Sequence, residues 1–141
     1  MLVAFFLLPK NDTVYLTEKQ SLRQGLEKMQ HHGYSTVPIL NENGCYVGAI
    51  SAADILLFIK NNYDLNLAEA EKILLGDIPR SRDNKPVSVN AEIKDLLDMA
   101  MTENFIPVID DGGVYIGIVR RREIMEFYRQ QYQKLTEIKE D

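Results

Sequence analysis

Cysteine, tryptophan and long apolar runs are scarce or absent in this sequence of 141 residues. The single cysteine, Cys45, excludes an intramolecular disulfide framework and is typical of a reducing compartment. The most apolar stretch, Met1 to Leu8, is far shorter than the roughly 20 residues of a membrane span, and no basic segment precedes it. We expect a buried strand there, with a signal-peptide fragment as the less favoured alternative, and a cytoplasmic protein that does not bind membranes.

Basic residues are also in the minority. The formal net charge of −5 argues against non-specific binding to nucleic acid, so we expect no nucleic-acid partner. The hydrophobic share of 45% and the charged share of 26% are those of an ordinary globular protein. A chain of this length has room for one well-buried core, or for two small units that share one.

The residue patterns of enzymes and metal sites are missing. There is no P-loop, dinucleotide fingerprint or hydrolase elbow, and Cys45 has no histidine near it in the sequence. The only histidines, His31 and His32, are adjacent and therefore point in different directions on a helix. We expect no catalytic residue, no metal and no enzymatic activity.

The chain contains an internal repeat. Residues 46–54 read Tyr-Val-Gly-Ala-Ile-Ser-Ala-Ala-Asp, and residues 115–123 read Tyr-Ile-Gly-Ile-Val-Arg-Arg-Arg-Glu. Pro38 precedes Gly48, and Pro107 precedes Gly117, by the same interval of ten residues. A repeat constrains the whole architecture, because each copy must form the same local structure.

Each copy predicts the same series of elements. In the first, the apolar spacing of Leu22, Leu26 and Met29 predicts a helix over 21–30, which Gly33 ends. Strands are expected at 36–40 and 45–50 around an Asn-Gly turn, and Ser51 then caps a helix with Asp54 at its third position. The second copy predicts a strand at Val87 and Val89, a helix over 92–101, strands over 105–109 and 114–119, and a helix over 121–138. It has two residues fewer between its first helix and its proline.

A connector separates the copies. Asn66 and Glu69 have the spacing of a capping box and predict a short helix that ends near Gly76. We expect the first repeat at 10–60, the connector at 61–84, the second repeat at 85–130, and an extended C-terminal helix and tail at 131–141.

The β-α-β-β-α order, with proline in the second strand and glycine before a polar helix start, resembles the CBS domain over about residues 10–130. Two copies in tandem resemble a Bateman module. The resemblance implies an α+β fold in which the two repeats pack with pseudo-twofold symmetry. It also implies two clefts between the repeats, which commonly bind adenosyl ligands.

The family's nucleotide signature is glycine, an apolar residue, any residue, serine or threonine, two further residues and aspartate. Residues 48–54 match it from Gly48 through Ser51 to Asp54. Glycine permits close approach of a ligand, Ser51 opens a helix whose free N–H groups favour an anion, and Asp54 can accept both ribose hydroxyls. In the alternative interpretation, Ser51 and Asp54 only cap the helix.

The second copy departs from this signature. Arg120 stands in place of serine or threonine, and Glu123 in place of aspartate. Cations are unfavourable at a helix N-terminus unless an anion is present, so we interpret Arg120, Arg121 and Arg122 as a phosphate clamp that reaches the ligand held by Ser51 and Asp54. The alternative is a solvated face in which these arginines pair with Glu123 and Glu126.

The resemblance implies further residues around the ligand: Thr13, Tyr34, Ser35, Thr36, Pro38 and Arg80. The segment Asp-Ile-Pro-Arg at 77–80 and the run from Gly117 to Arg122 are similar to small stand-alone bacterial CBS proteins that bind cyclic di-AMP. The Ser51 and Asp54 pair fits an AMP- or ATP-type ribose site equally well.

We therefore expect a stand-alone sensor that binds an adenine nucleotide as a regulatory ligand, requires no cofactor and relays its state to an unidentified effector protein. The C-terminal helix carries an apolar stripe of Ile124, Phe127, Tyr128, Tyr132 and Leu135. Part of this stripe must cover the sheet, but its distal part, with Tyr132 and Leu135, extends further and predicts a homodimer through the helices. The alternative is a structural dimerisation module without a small-molecule ligand, in which Arg120 and Glu123 pair and fill one cleft. The identity of the nucleotide, the number of clefts that bind it, the partner and the dimer orientation stay open.

Overall fold

The computed structural model describes residues 1–62 and 65–140, the last three by their backbone alone. The predicted connector thus includes two residues, 63 and 64, and the predicted tail one, 141, that lie outside the described part. The strands are β1 (Leu8–Pro9), β2 (Leu16–Thr17), β3 (Thr36–Leu40), β4 (Tyr46–Ser51), β5 (Val87–Ser88), β6 (Phe105–Ile109) and β7 (Tyr115–Arg120). The α-helices are α1 (Leu22–His32), α2 (Ala52–Lys60), α3 (Leu67–Ala70), α4 (Leu97–Ala100) and α5 (Arg121–Glu140).

The first repeat forms as its local signals predict. Ser21 and Gln24 make a reciprocal capping box at the start of α1, and Gly33 ends the helix with φ of 70°. Strand β3 lies between β2, to which it is parallel, and β4, to which it is antiparallel. The core between this sheet and the helices is made by Leu16, Leu22, Met29, Val37, Ile39, Ile50, Ile55, Ala70, Leu75 and Ile78.

The second repeat copies this arrangement with a shorter first helix. Leu16 pairs with Ile39 in the first repeat, and Val87 pairs with Val108 in the second. The predicted helix over 92–101 is a 3-10 turn, Ile93–Leu96, followed by the single α-turn of α4. The predicted loss of two residues therefore falls in a shortened helical segment, and the strands keep their register.

The N-terminal segment does not form the buried strand that its apolar composition predicts. Val3–Phe6 is a 3-10 turn with only Val3 buried, and β1 is two residues long. The segment crosses to the second repeat, where Val3 N–H donates to the Ala91 carbonyl at 2.9 Å and β1 pairs with β7. The second sheet therefore has four strands in the order β1-β7-β6-β5, because the N-terminus supplies its edge.

The repeats meet through their two hairpin turns. The Tyr46 N–H donates to the Gly113 carbonyl at 3.2 Å, and the Tyr115 N–H donates to the Gly44 carbonyl at 3.0 Å. The rings of Tyr46 and Tyr115 stack with their centroids 6.4 Å apart. This reciprocal pairing of equivalent residues is the pseudo-twofold relation that the resemblance implies.

The connector and the C-terminal helix differ in length from their predictions. The Asn66 side chain accepts from the Glu69 N–H at 2.9 Å, as the capping signal predicts, but α3 ends at Ala70 and Leu75–Asp77 forms a separate 3-10 turn. Helix α5 continues to Glu140. Among the described residues, the helices all lack the length or the apolar character for crossing a membrane.

Candidate functional site

The Ser51 and Asp54 signature lies where β4 gives way to α2. The Ser51 hydroxyl accepts from the Asp54 N–H at 3.1 Å, and Oδ2 of Asp54 accepts from the Ser51 N–H at 3.0 Å. Asp54 is only 5% exposed, although it is charged. Both hydrogen bonds of the capping box are therefore formed, and they hold one carboxylate oxygen at a fixed place at the helix start.

The second oxygen of Asp54 is bound by a residue that the sequence reasoning did not select. Its Oδ1 accepts from the Ser81 N–H at 3.0 Å and from the Ser81 hydroxyl at 2.8 Å. Burial acts to raise the pKa of Asp54, but the hydrogen bonds from Ser51 and Ser81 together hold that pKa below its ordinary value. The carboxylate is thus ionised and fully engaged within the chain.

Asp54 is one of the residues that line a cavity of about 280 Å³. We call it the Asp54 cleft. Its polar wall comprises Ser35, Thr36, Ser51, Asp54, Ser81, Arg82, Asn84, Thr102, Glu103 and Asn104. The cleft lies between the repeats, because Glu103 and Asn104 come from the second one.

A second cavity, of about 420 Å³, lies beside α5, and we call it the arginine cleft. Its volume falls within the range of about 300–1,000 Å³ that small-molecule sites occupy. The predicted site residues that line it are Thr13, Tyr34, Ser35, Thr36, Pro38, Arg120, Arg121 and Arg122. Apolar side chains, including Ile118 and Met125, complete the wall. It therefore combines apolar surface for a ring system with cations for an anion.

The three arginines have different environments. The Arg121 Nε donates to the carbonyls of Ala100 and Glu103 at 2.7 and 3.1 Å, so its guanidinium holds the end of α4. Arg120 pairs with Glu123 at 2.5 Å, as the solvated-face alternative predicts. Arg122 is exposed at the cleft wall. We expected all three to reach a ligand held by Asp54, but they line the other cleft.

The two clefts share a wall. Ser35, Thr36, Asn104 and Phe105 line both of them. Asn104 and Phe105 lie 69 positions after Ser35 and Thr36, the same interval that separates the repeat's prolines. The sequence reasoning selected only the first pair, although the repeat interval was sufficient to find the second.

Arg80 lines neither cleft. Its guanidinium lies over Gly48, where an added Cβ would be 2.9 Å from Nε, and it donates to the Val47 carbonyl at 3.4 Å. It borders a separate surface depression beside the connector. The glycine of the signature therefore makes room for an arginine of this chain.

Two tyrosines, the half-buried Tyr46 and the buried Tyr115, bond to the segments that lead into the repeats. The Tyr46 hydroxyl donates to the Asn84 carbonyl at 2.5 Å, and the Tyr115 hydroxyl donates to Thr13 Oγ1 at 2.9 Å. Burial raises the pKa of Tyr115 to about 12 and moves the pKa of Tyr46 in the same direction. Asn84 lines the Asp54 cleft and Thr13 the arginine cleft, so the stacked pair connects the walls of both.

Within the ranges that the structure describes, no group of three or more histidine, cysteine, aspartate or glutamate residues is placed to hold a metal ion. The polar groups of both clefts are suited to hydrogen bonding and to charge pairing with an organic anion.

Comparison with known families finds the CBS domain twice, over residues 7–61 and 75–130. Among curated proteins, the uncharacterised protein MK0525 of Methanopyrus kandleri is 26% identical over 102 residues, which are 70% of this chain. This chain spans 49% of the length of that relative.

Solved structures with the same fold include the protein CbpB in complex with c-di-AMP. It superposes with a TM-score of 0.84 at 20% identity, covering 97% of this chain and 90% of CbpB. CBSX2 in complex with AMP gives a TM-score of 0.70 at 22% identity, covering 93% of this chain and 98% of CBSX2. At these identities the likeness shows the fold alone.

Proposed function

Because this chain belongs to the CBS-domain family and carries two CBS repeats in tandem, we propose that it is a regulatory module that binds an adenine nucleotide between them and relays this state to a partner protein. The observation that carries the proposal is the ionised Asp54 carboxylate, buried beside a helix N-terminus in a cleft between the repeats. Two proteins of the same fold, CbpB and CBSX2, have been solved with c-di-AMP and AMP.

The two clefts supply complementary chemistry. Asp54 is an acceptor for ribose hydroxyls, and the shared wall at Ser35 and Thr36 offers backbone and small polar groups to an adenine edge. Arg120 and Arg122 supply planar donors for phosphate in the arginine cleft. We assign Arg121 a positioning role, because its Nε–H is shared between the carbonyls of Ala100 and Glu103.

The structural dimerisation module has one observation in its favour. Arg120 and Glu123 form the ion pair that this alternative requires. Both side chains are partly exposed, at 45% and 32%, and Arg120 lines a cavity of about 420 Å³ that the pair leaves open. An exposed pair of this kind contributes about 0–1 kcal/mol, so a competing phosphate can displace it.

The binding test is calorimetric titration of AMP, ATP and cyclic di-AMP, with GMP as the base control. We expect at least one adenine nucleotide to bind, and Asp54→Ala to weaken a ribose-bearing mononucleotide about tenfold or more, because hydrogen bonds to a charged acceptor are lost. Asp111→Ala is the matched control, since Asp111 is an exposed aspartate in the turn after β6. If no adenine nucleotide binds, the proposed function is wrong; if the two variants behave alike, the assignment of Asp54 to the site is wrong.

We further propose that the module is a homodimer. Large apolar side chains remain exposed on α2 and α5, namely Leu56, Leu57, Met125, Tyr132 and Leu135. Such a surface on two helices is typical of an interface. Sedimentation equilibrium should give twice the chain mass, and Leu135→Glu should shift it toward the monomer. A wild-type monomer at tens of micromolar contradicts the dimer and leaves the nucleotide proposal intact.

A further inference from the structure

Both carboxylate oxygens of Asp54 already accept hydrogen bonds from other residues of the chain. One of its carboxylate oxygens accepts the Ser51 N–H, and the other accepts both the N–H and the hydroxyl of Ser81. With 5% of its surface exposed, Asp54 has little room for an additional donor. A ligand that uses this carboxylate must therefore displace Ser81.

The geometry of the Ser81 contact matches one kind of ligand. Ser81 offers two donors from one residue, at 3.0 and 2.8 Å, to a single oxygen of Asp54. A vicinal diol also offers two donors on neighbouring atoms. Because a buried carboxylate that loses a hydrogen bond is strongly penalised, only a ligand that returns both bonds makes the exchange favourable.

This inference rests on the proposed function. We infer that Ser81 makes the hydrogen bonds to Asp54 that a ribose diol would otherwise make. It therefore competes with nucleotide binding in the Asp54 cleft until a nucleotide with free 2′ and 3′ hydroxyls replaces it. The exchange is one of hydrogen bonds only. The Ser81 N–H and O–H are released to solvent, and two ribose O–H groups take their place on Asp54.

This exchange defines a selectivity. A 2′-deoxy or 3′-deoxy nucleotide returns one of the two bonds and leaves Asp54 one donor short. The same holds for a 3′,5′-linked cyclic dinucleotide, in which the 3′ oxygens are part of the phosphodiesters. The Asp54 cleft should therefore prefer a mononucleotide with a free diol by about tenfold.

The exchange also defines what is released. Ser81 lies between two fixed points, Arg80 over Gly48 and the buried Asn84, which is held by Tyr46 and Glu103. The freed segment is therefore short, about residues 81–83, and exposed on the surface. A binding event inside the cleft becomes a change on the surface of the connector.

The test compares Ser81→Ala with wild type by titration with AMP and with 2′-deoxy-AMP. Removing the competing hydroxyl should increase the affinity for AMP about tenfold, because Asp54 then accepts one hydrogen bond fewer in the ligand-free protein. Ser88→Ala is the matched control, since the Ser88 hydroxyl accepts from Asn90 in the β5 turn. Amide hydrogen exchange of wild type should be faster at Ser81 when AMP is bound, while exchange at Ile78, whose N–H donates to the Leu75 carbonyl, stays unchanged.

The outcomes separate the two proposals. If AMP binds and Asp54→Ala weakens it, but Ser81→Ala leaves AMP binding unchanged or weaker, then Ser81 is not a competitor and the inference is overturned. Equal binding of AMP and 2′-deoxy-AMP to the wild type also overturns it. If AMP does not bind, or binds independently of Asp54, the site assignment in the proposed function fails and the inference fails with it.

Discussion

Helices α2 and α5 begin with the same backbone hydrogen bond in the two repeats, but the carboxylate in the first turn is buried in α2 and lies at the surface in α5. The Ala52 N–H donates to the Ser35 carbonyl at 2.8 Å, and the Arg121 N–H donates to the Asn104 carbonyl at 2.9 Å, so the backbones match. In the first repeat Asp54 turns inward and bonds to Ser51 and Ser81. In the second, the longer Glu123 pairs with Arg120 at the surface. The extra methylene group of Glu123 and the change of the cap residue from Ser51 to Arg120 accompany the move of the carboxylate from a buried to a surface position.

The two signature glycines show a similar contrast. Gly48 and Gly117 share an unusual backbone conformation, with φ of 150° and 153°. Gly48 is covered by a flexible side chain, that of Arg80, whereas Gly117 is covered by the backbone of Leu8 in β1. A side chain added at Gly48 would therefore meet a neighbour that can move, whereas one added at Gly117 would meet a strand that cannot.

The largest expected effect is on Gly117. In Gly117→Ala the new Cβ would lie 2.1 Å from the Leu8 carbonyl oxygen, so β1 must leave β7, and we expect a loss of about 4 kcal/mol in the free energy of unfolding. Gly48→Ala should cost about 2 kcal/mol, because Arg80 can move away. Urea denaturation measures both.

Gly112→Ala is the control for this pair, since its Cβ would make an ordinary contact of 3.5 Å with Asp110, and we expect a change within about 0.5 kcal/mol. Equal losses in Gly48→Ala and Gly117→Ala would show that the backbone conformation, and not the covering strand, sets the cost.

The next effect distinguishes the two carboxylates. Asp54→Asn should lower the free energy of unfolding by about 2 kcal/mol at neutral pH, whereas Glu123→Gln should change it by less than about 0.5 kcal/mol. Because the folded-state pKa of Asp54 lies below its unfolded value near 4, the Asp54 contribution is present above that pH and disappears as the pH falls through the folded pKa. Thermal denaturation of both variants between pH 2 and 7 measures it.

A difference between wild type and Asp54→Asn that is the same at about pH 2 and pH 7 would contradict an ionised, hydrogen-bonded Asp54. Glu123→Gln serves as the internal control for non-specific acid effects.

The smallest effect concerns the tyrosines. Tyr115→Phe removes the bond to Thr13 and should cost about 1 kcal/mol at neutral pH. The pKa of Tyr115 is about 12 in the folded state and about 10 when unfolded, so the folded protein keeps a proton that the unfolded chain loses. Stability should therefore fall between about pH 10 and 12, less steeply in Tyr115→Phe. Alkaline denaturation followed by circular dichroism measures this slope.

Tyr46→Phe should act in the same direction, since the pKa of Tyr46 is also raised by burial. An unchanged alkaline slope in both variants would mean that these hydroxyls are accessible to solvent.

Local signals predicted most of the helices, strands, caps and turns. The capping box of Ser51 and Asp54, the Asn-Gly turn and Gly33 each act over a few residues, so their interactions are the same whatever lies outside them. The apolar N-terminus shows the limit of this reasoning. Its composition predicted a buried strand, but its partner, β7, is more than a hundred positions away, and the segment is mostly a 3-10 turn on the second repeat.

Ser81 could not be selected from the sequence for the same reason. Its contact with Asp54 spans 27 positions and depends on the path of the connector past Gly48. The contacts of Arg121 were equally hidden from the sequence. Its position at a helix start indicated phosphate binding, and in the structure its Nε donates to the carbonyls of Ala100 and Glu103. A charge pattern gives the chemistry of a side chain and leaves its partner undetermined.

The sequence by itself determined the duplication, the order of elements within each repeat, and the caps and turns, since these depend on interactions between near neighbours. Only the tertiary structure decided that the N-terminus completes the second sheet and that Asp54 and the arginines of 120–122 line different clefts with a shared wall. It also decided that Ser81 donates two hydrogen bonds to Asp54. Those arrangements arise when two cores pack and bring distant segments together, and no short stretch of sequence contains that information.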